Sequence, residues 1–200
     1  MIQDVLPSKK LIYQNQPRKF EQKLTSPIIL ENNHGLSCQK LYQQMNLNYM
    51  PTVEQMALKI GKIFGEMIES NAHKSHEASV FDSKKKPSIS VIDYFSRFAK
   101  YSRCSLESFI IAMILIDRYI DRNGKLIIHS NNSHRLFFGA IVVSLKTHDD
   151  LRLSNEDLAK IGGISLPELE ILEWEILSAL EFNVQVELEE YVSYLSSFLF

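Results

Sequence analysis

Two charged side chains stand in apolar surroundings. The run AIVVSLKTHDD, Ala140–Asp150, stays almost wholly apolar until Lys146 and then reaches the adjacent acids Asp149 and Asp150. Glu173 has Leu169, Ile176, Leu177 and Leu180 at i−4, i+3, i+4 and i+7, so on a helix it shares their stripe. Glu168, Glu170, Glu175 and Glu181 fall on other faces or at helix ends. A lone charge against apolar surface is expensive to desolvate and needs a partner. Lys146 has a simple option: a cation near the last carbonyls of a helix gains roughly 0.3–1 kcal/mol from the dipole, and its ammonium can snorkel to water. Glu173 has three. It can form an internal salt bridge to Lys146 or an arginine, sit at the solvent margin of its stripe, or share with Lys146 one polar spot, ringed by hydrophobes, that orients a docked protein. In that last arrangement, removing one member of the pair typically costs about 2–5 kcal/mol of binding.

A second group of residues has metal chemistry open to it. His148-Asp149 is an HD dipeptide, with His129, His134 and Asp157 not far away. A helical HD-type metal phosphohydrolase needs an upstream histidine and a downstream aspartate converging on the same ion. His129 and His134 instead flank a helix start and read as cap or surface residues. The reading therefore assigns no catalytic residue and no metal ligand, and expects no cofactor.

The bulk properties narrow the class. The chain has 200 residues, 45% hydrophobic and 23% charged, which suits a globular protein with a sizeable core. A net charge of −2 lacks the basic excess of a general nucleic-acid binder. Cys38 and Cys104 show no CxxC spacing and no disulfide framework, which predicts a reducing compartment, cytoplasmic or nuclear. The apolar stretches are too short to span a bilayer and none reads as a signal peptide.

The elements that must hold Lys146 and Glu173 are helices. Residues 1–50 are rich in Gln, Asn, Lys and Ser and read as a mostly flexible polar tail, with short ordered pieces near Leu36–Tyr42. Its basic pairs Lys9-Lys10 and Arg18-Lys19 read as solvated rather than as a signal. Residues 51–80 hold an amphipathic helix (Val53, Met56, Ala57, Ile60, Ile63, Phe64, Met67 and Ile68) and a linker running toward Lys84-Lys85-Lys86-Pro87. Caps then punctuate the chain. Ser90 opens Val91–Lys100 and Ser105 opens Leu106–Ile120. Ser130 or Asn131 opens a helix through Lys146. Ser154 opens a short helix closed by Gly162-Gly163, and Ser165 with Glu168 forms a full capping box. A last helix is predicted over Glu187–Phe198. Leu136, Phe137, Phe138, Ala140, Ile141, Val142, Val143 and Leu145 point all round the third of these helices, so others must surround it. The prediction is an all-α bundle of five helices about one central buried helix, with an extra N-terminal helix and a short C-terminal helix.

Several stretches resemble a known family. ILIDRYIDR resembles the second helix of a cyclin box, and SLKTHDD resembles the lysine-bearing end of its third. LPELEILEWEILSALEFNV is similar to the fifth helix, which carries the box's glutamate. SNEDLAKIGGIS and PSISVIDYFSRFAKYSRCS resemble most the phosphate-pathway (P/U-type) cyclins of fungi and protists. The likeness covers residues 81–185, with 186–200 as the C-terminal helix.

The resemblance implies a regulatory subunit that binds a cyclin-dependent protein kinase at its C-helix and stabilises the active conformation. It implies Lys146 and Glu173 as polar anchors and Leu177, Phe182 and Val184 as apolar contacts. It implies a monomer that forms a heterodimer with the kinase, without nucleic acid or membrane. The family often has an aromatic residue after the lysine, where this chain has Thr147. The MRAIL-type motif of mitotic cyclins, with its substrate-docking patch, is missing from the first helix. Its arginine pairs in the family with the aspartate matching Asp117, for which Arg97 or Arg135 is the substitute here. Asp117 and Arg118 are expected to brace helices, and Asp149-Asp150 either to meet the kinase or to cap a loop. The alternatives are a cyclin-box-like DNA-binding transcription factor, disfavoured by a single box and an acidic balance, and the HD phosphohydrolase.

Overall fold

In the computed structural model, residues 50–124, 126–150 and 153–199 are described, and the expectations placed on residues 1–49 lie outside them. Hydroxyl caps start most of the helices. Thr52, Ser90, Ser105, Ser154 and Ser165 each accept a hydrogen bond from the backbone N–H three residues on. The helices that follow are α1 (Val53–Asn71), α2 (Val91–Ser102), α3 (Leu106–Asn123), α4 (Ser133–His148), α5 (Asn155–Gly162) and α6 (Leu166–Ala179). A last helix, α7, spans Leu188–Leu199. There is no strand among the described residues. Ends come from left-handed residues after α2, α3 and α5, at Arg103, Gly124 and Gly163.

Two caps differ from expectation. The cap of α4 is Asn132, not Ser130 or Asn131, and its side chain makes no cap bond to the helix. It is used on the incoming loop instead: Oδ1 accepts from His129 N–H at 2.9 Å and Nδ2 donates to the Ile127 carbonyl at 2.8 Å. At α6, Ser165 does accept from the Glu168 N–H, but the Glu168 carboxylate turns to Arg135 of α4 at 2.5 Å. An ion pair between helices has displaced the return half of the capping box. The reciprocal box forms at α1, between Thr52 and Gln55.

Helix α4 lies at the centre. Residues 133–134 and 136–145 along it are all buried, and it packs against α2, α3 and α6. Phe137 stacks on Phe95 at 3.7 Å, and Phe98 meets the rings of Phe109, Phe137 and Phe138 edge-on. Burying each such side chain contributes roughly 1.5–3 kcal/mol. Small residues set the spacing. A Cβ on Gly139 would stand 3.2 Å from the Leu172 carbonyl of α6, and one on Gly162 would stand 2.4 Å from the Phe138 ring. Glycine therefore lets α6 lie close against α4 at Gly139, and lets the end of α5 lie close against α4 at Gly162.

Helix α7 buries Tyr191, Tyr194, Leu195 and Phe198 and packs on α3. Adjacent residues of α3 hold it there. The Tyr194 hydroxyl donates to Asp117 at 2.7 Å, and Arg118 pairs with Glu190 and donates to the Gln185 carbonyl at 2.9 Å. The predicted Asp117–Arg97 pair does not form. Arg97 is exposed on α2 and donates to the Lys160 carbonyl at 3.2 Å, while the other proposed substitute, Arg135, pairs with Glu168. The chain has placed a tyrosine from its last helix against Asp117, and no sequence pattern links residues that far apart.

Candidate docking surface

Lys146 leaves the last turn of α4 just after the buried Leu145, and Glu173 lies midway along α6. The close contact at Gly139 holds the two helices together, so the two charges meet. Lys146 Nζ is 2.6 Å from Glu173 Oε2, and the side chains are 32% and 17% exposed. The pair is at once a salt bridge between helices and a feature of the surface. Of the options open to Glu173 in the sequence, the salt bridge to Lys146 forms, and it does so where solvent still reaches it. Partial exposure decides what the pair can do: both groups are half-desolvated already, and a second molecule can still reach them.

The same helix and the turn after it carry further apolar side chains. Leu177 and Val184 are half-buried, and Phe182 is 58% exposed. Trp174, on the same helix, is 62% exposed, and its ring meets that of Phe182 edge-on at 5.8 Å. Ile171, also on α6, is 53% exposed. Sequence reasoning missed Trp174 and Ile171. The available signal was that α6 carries apolar residues on its outer side as well as the inward Leu169, Leu172 and Ile176. Exposed aromatics of this size are a mark of contact surfaces.

The turn after α6 displays Phe182. The Phe182 N–H bonds the Leu177 carbonyl at 2.8 Å and the Glu181 N–H bonds the Ser178 carbonyl at 3.0 Å, which is a Schellman ending. Glycine normally occupies its left-handed position. Here Glu181 (φ 52) and Phe182 (φ 59) both adopt left-handed backbone without it. Each costs about 1–2 kcal/mol, and the turn is held by its own hydrogen bonds and by the edge-on ring contact.

The remaining candidates serve the fold. Thr147 is exposed, and its hydroxyl donates to the Val143 carbonyl at 2.7 Å. Asp149 accepts from the Ser105 N–H at 2.9 Å and the Ser108 hydroxyl at 2.7 Å, so it belongs to the start of α3. Asp157 accepts from the Ser154 hydroxyl in the cap of α5, and that bond comes first among the causes holding its carboxyl below the ordinary range. His134 Nε2 faces the Ile89 carbonyl at 3.0 Å, and burial lowers the pKa of both His134 and His148. Among the described residues, His134, His148, Asp149 and Asp157 do not gather as metal ligands. His129 lies instead beside His76 and Asp82.

Known proteins were compared with the chain. The sequence model of the family described as Cyclin matches residues 14–184. Cyclin-U4-2 of Arabidopsis thaliana is 40% identical over 119 residues, which is 60% of this chain and 55% of that protein. Cyclin-U4-1 of the same plant is 37% identical over 125 residues, 62% of each chain. Cyclin-P3-1 of Oryza sativa subsp. japonica is 34% identical over 129 residues, 64% of this chain and 54% of that protein. The chain thus spans little more than half the length of the curated relatives it matches. The family match begins well upstream of residue 81 and takes in α1.

Proposed function

The chain belongs to the cyclin family, and from that premise we propose that it is the regulatory subunit of a cyclin-dependent protein kinase, docking on the kinase's C-helix through the Lys146–Glu173 surface. The observation that carries this reading is the solvent-reachable ion pair at 2.6 Å beside an exposed Trp174–Phe182 corner. A charged pair gives orientation and register, and an aromatic corner gives buried area, so the two together suit a foreign amphipathic helix. Where the family often has an aromatic residue after the lysine, this chain has Thr147, and Trp174 of α6 supplies aromatic surface instead.

The chain contributes no catalytic group in this reading. An active kinase needs its strand lysine paired with the C-helix glutamate and its activation loop ordered. A subunit that binds this arrangement better than the inactive one shifts the population by the difference in affinity. Moving a kinase from 1:99 to 99:1 takes about 5.5 kcal/mol of such difference. A central aromatic hot spot and a desolvated charge pair are interactions of that order.

The test is capture from the native cell. The full chain, immobilised, is expected to retain a cyclin-dependent kinase, and the purified pair to phosphorylate a peptide far faster than the kinase alone. Trp174→Ala, exposed and outside the core, is expected to lose at least tenfold in affinity with its helix content unchanged. Retention of no kinase, or a Trp174→Ala variant that captures as well as the parent, refutes the assignment.

A further inference from the structure

A separate cluster lies between the α1–α2 connection and the loop before α4. His76 and Asp82 come from the connection and His129 from the loop. Their ligand atoms all lie within 4.8 Å of one another. His129 Nε2 and Asp82 Oδ1 are 3.3 Å apart, and the His76 ring lies over the His129 ring with centroids 3.5 Å apart. His129 is only 8% exposed. His129 Nε2, Asp82 Oδ1 and the neighbouring Ser79 Oγ are buried atoms without a hydrogen-bond partner among the described residues. His129 Nε2 and Asp82 Oδ1 face each other without the geometry of a hydrogen bond, and Ser79 Oγ has no partner; buried polar atoms are almost always satisfied, so the cluster points to a group it is built to hold.

We propose that His76, Asp82 and His129 are ligands of a transition-metal ion, Zn²⁺ foremost, with solvent completing a tetrahedron. Zinc takes imidazole nitrogen and carboxylate oxygen at about 2.0–2.2 Å, and the edge of such a tetrahedron is about 3.3–3.5 Å. The His129–Asp82 separation of 3.3 Å already matches that edge. A set of two imidazoles and one carboxylate suits zinc over calcium or magnesium, which favour oxygen shells.

The surroundings hold two of the ligands in place. The second oxygen of Asp82 accepts from the Ser79 N–H at 2.8 Å. The Ser83 N–H and hydroxyl both donate to the Asn131 carbonyl, at 2.9 and 2.8 Å, pinning the connection to the loop. His76 is exposed and can pivot from its stacked position toward the ion. One bond must change. His129 Nδ1 accepts from the Asn131 N–H at 3.2 Å, so the neutral ring carries its proton on Nε2. On metal binding at Nε2 that proton moves to Nδ1 and the Asn131 N–H turns to water. Losing one neutral hydrogen bond lowers affinity roughly tenfold relative to a site whose second nitrogen donates to a carbonyl. The ion would clasp the α1–α2 connection to the foot of α4, well apart in sequence from Lys146 and Glu173.

The test uses the full chain, stripped with a chelator. Zn²⁺ is titrated against a chromophoric competitor, and Co²⁺ reports coordination by its visible spectrum. The proposal expects one equivalent of Zn²⁺ and the intense band of four-coordinate Co²⁺. It also expects at least a tenfold loss of affinity in His76→Ala and in Asp82→Asn, and none in His148→Ala. Because His129 is buried, its variants can fail to fold; His76 is exposed, so His76→Ala carries the decision. Substoichiometric binding, unchanged affinity in His76→Ala, or loss of binding in His148→Ala overturns the proposal. None of these outcomes depends on whether a kinase is captured.

Discussion

Replacing Lys146 by alanine separates two roles of one ion pair. Within the chain, the pair joins α4 to α6 at 2.6 Å with side chains 32% and 17% exposed. A pair this open to solvent contributes about 0–1 kcal/mol to folding, while α4 is held by a buried run along nearly its whole length. For a chain of this size, 1 kcal/mol moves the melting temperature by about 2–4 °C, so the variant is expected to melt within about 4 °C of the parent. Docking is different. A partner helix laid over the pair removes the remaining water, and without Lys146 the Glu173 carboxylate is buried unpaired. That typically costs about 2–5 kcal/mol, or roughly thirtyfold to several thousandfold in Kd. The assay is calorimetric titration of the captured kinase, with thermal melts of each variant alongside. The exchanged variant Lys146→Glu with Glu173→Lys sharpens it. It can rebuild the bridge inside the chain but presents each charge to the wrong groups of the partner, so it should fold and still bind weakly. A folded Lys146→Ala that binds within threefold of the parent refutes the reasoning, and so does full binding by the exchanged variant.

Two further outcomes follow from the backbone and the buried histidines. Glu181→Gly should raise stability by roughly 0.5–1 kcal/mol, because glycine adopts the left-handed position freely and its unfolded-state entropy offsets only part of that gain. The lost Arg122–Glu181 contact at 3.4 Å is mostly solvated, and urea unfolding that shows a less stable glycine variant contradicts the strain argument. Stability should also fall with acidification. Burial depresses the pKa of His134 and of His148, so below the ordinary histidine range, near about 6.5, the unfolded chain binds protons that the folded one does not. The contribution is fully present above that range and is lost as pH drops through the folded-state values. Urea midpoints from about pH 7 to about pH 5 should decline, less steeply in His134→Gln, and a flat profile in the parent rules this out.

Local rules of the chain are readable without coordinates where neighbours in sequence supply both partners. Ser90, Ser105, Ser154 and Ser165 announce helix starts because the N–H they cap lies three residues away. The all-round apolar pattern of residues 136–145 implies a central helix, since nothing else buries every side. Glu173 stands out for the same reason: it interrupts a periodic stripe. Where a distant element competes for a side chain, local logic fails. Glu168 leaves its capping box for Arg135, and Asp149 caps the start of α3 at Ser105 and Ser108.

The residues of this chain therefore specified, on their own, an all-helical bundle, its central helix, and a lysine and glutamate unusual enough to be noticed. Three-dimensional packing settled who meets whom. Close approach at Gly139 holds α4 and α6 together where Lys146 reaches Glu173; the last helix, not Arg97, delivers a partner to Asp117; and a strained turn carries Phe182 to Trp174. The reason is physical: caps and periodicity act within a few residues, whereas a charge, an exposed ring or a set of ligands acquires its role from atoms far along the chain that only folding brings within a few ångströms.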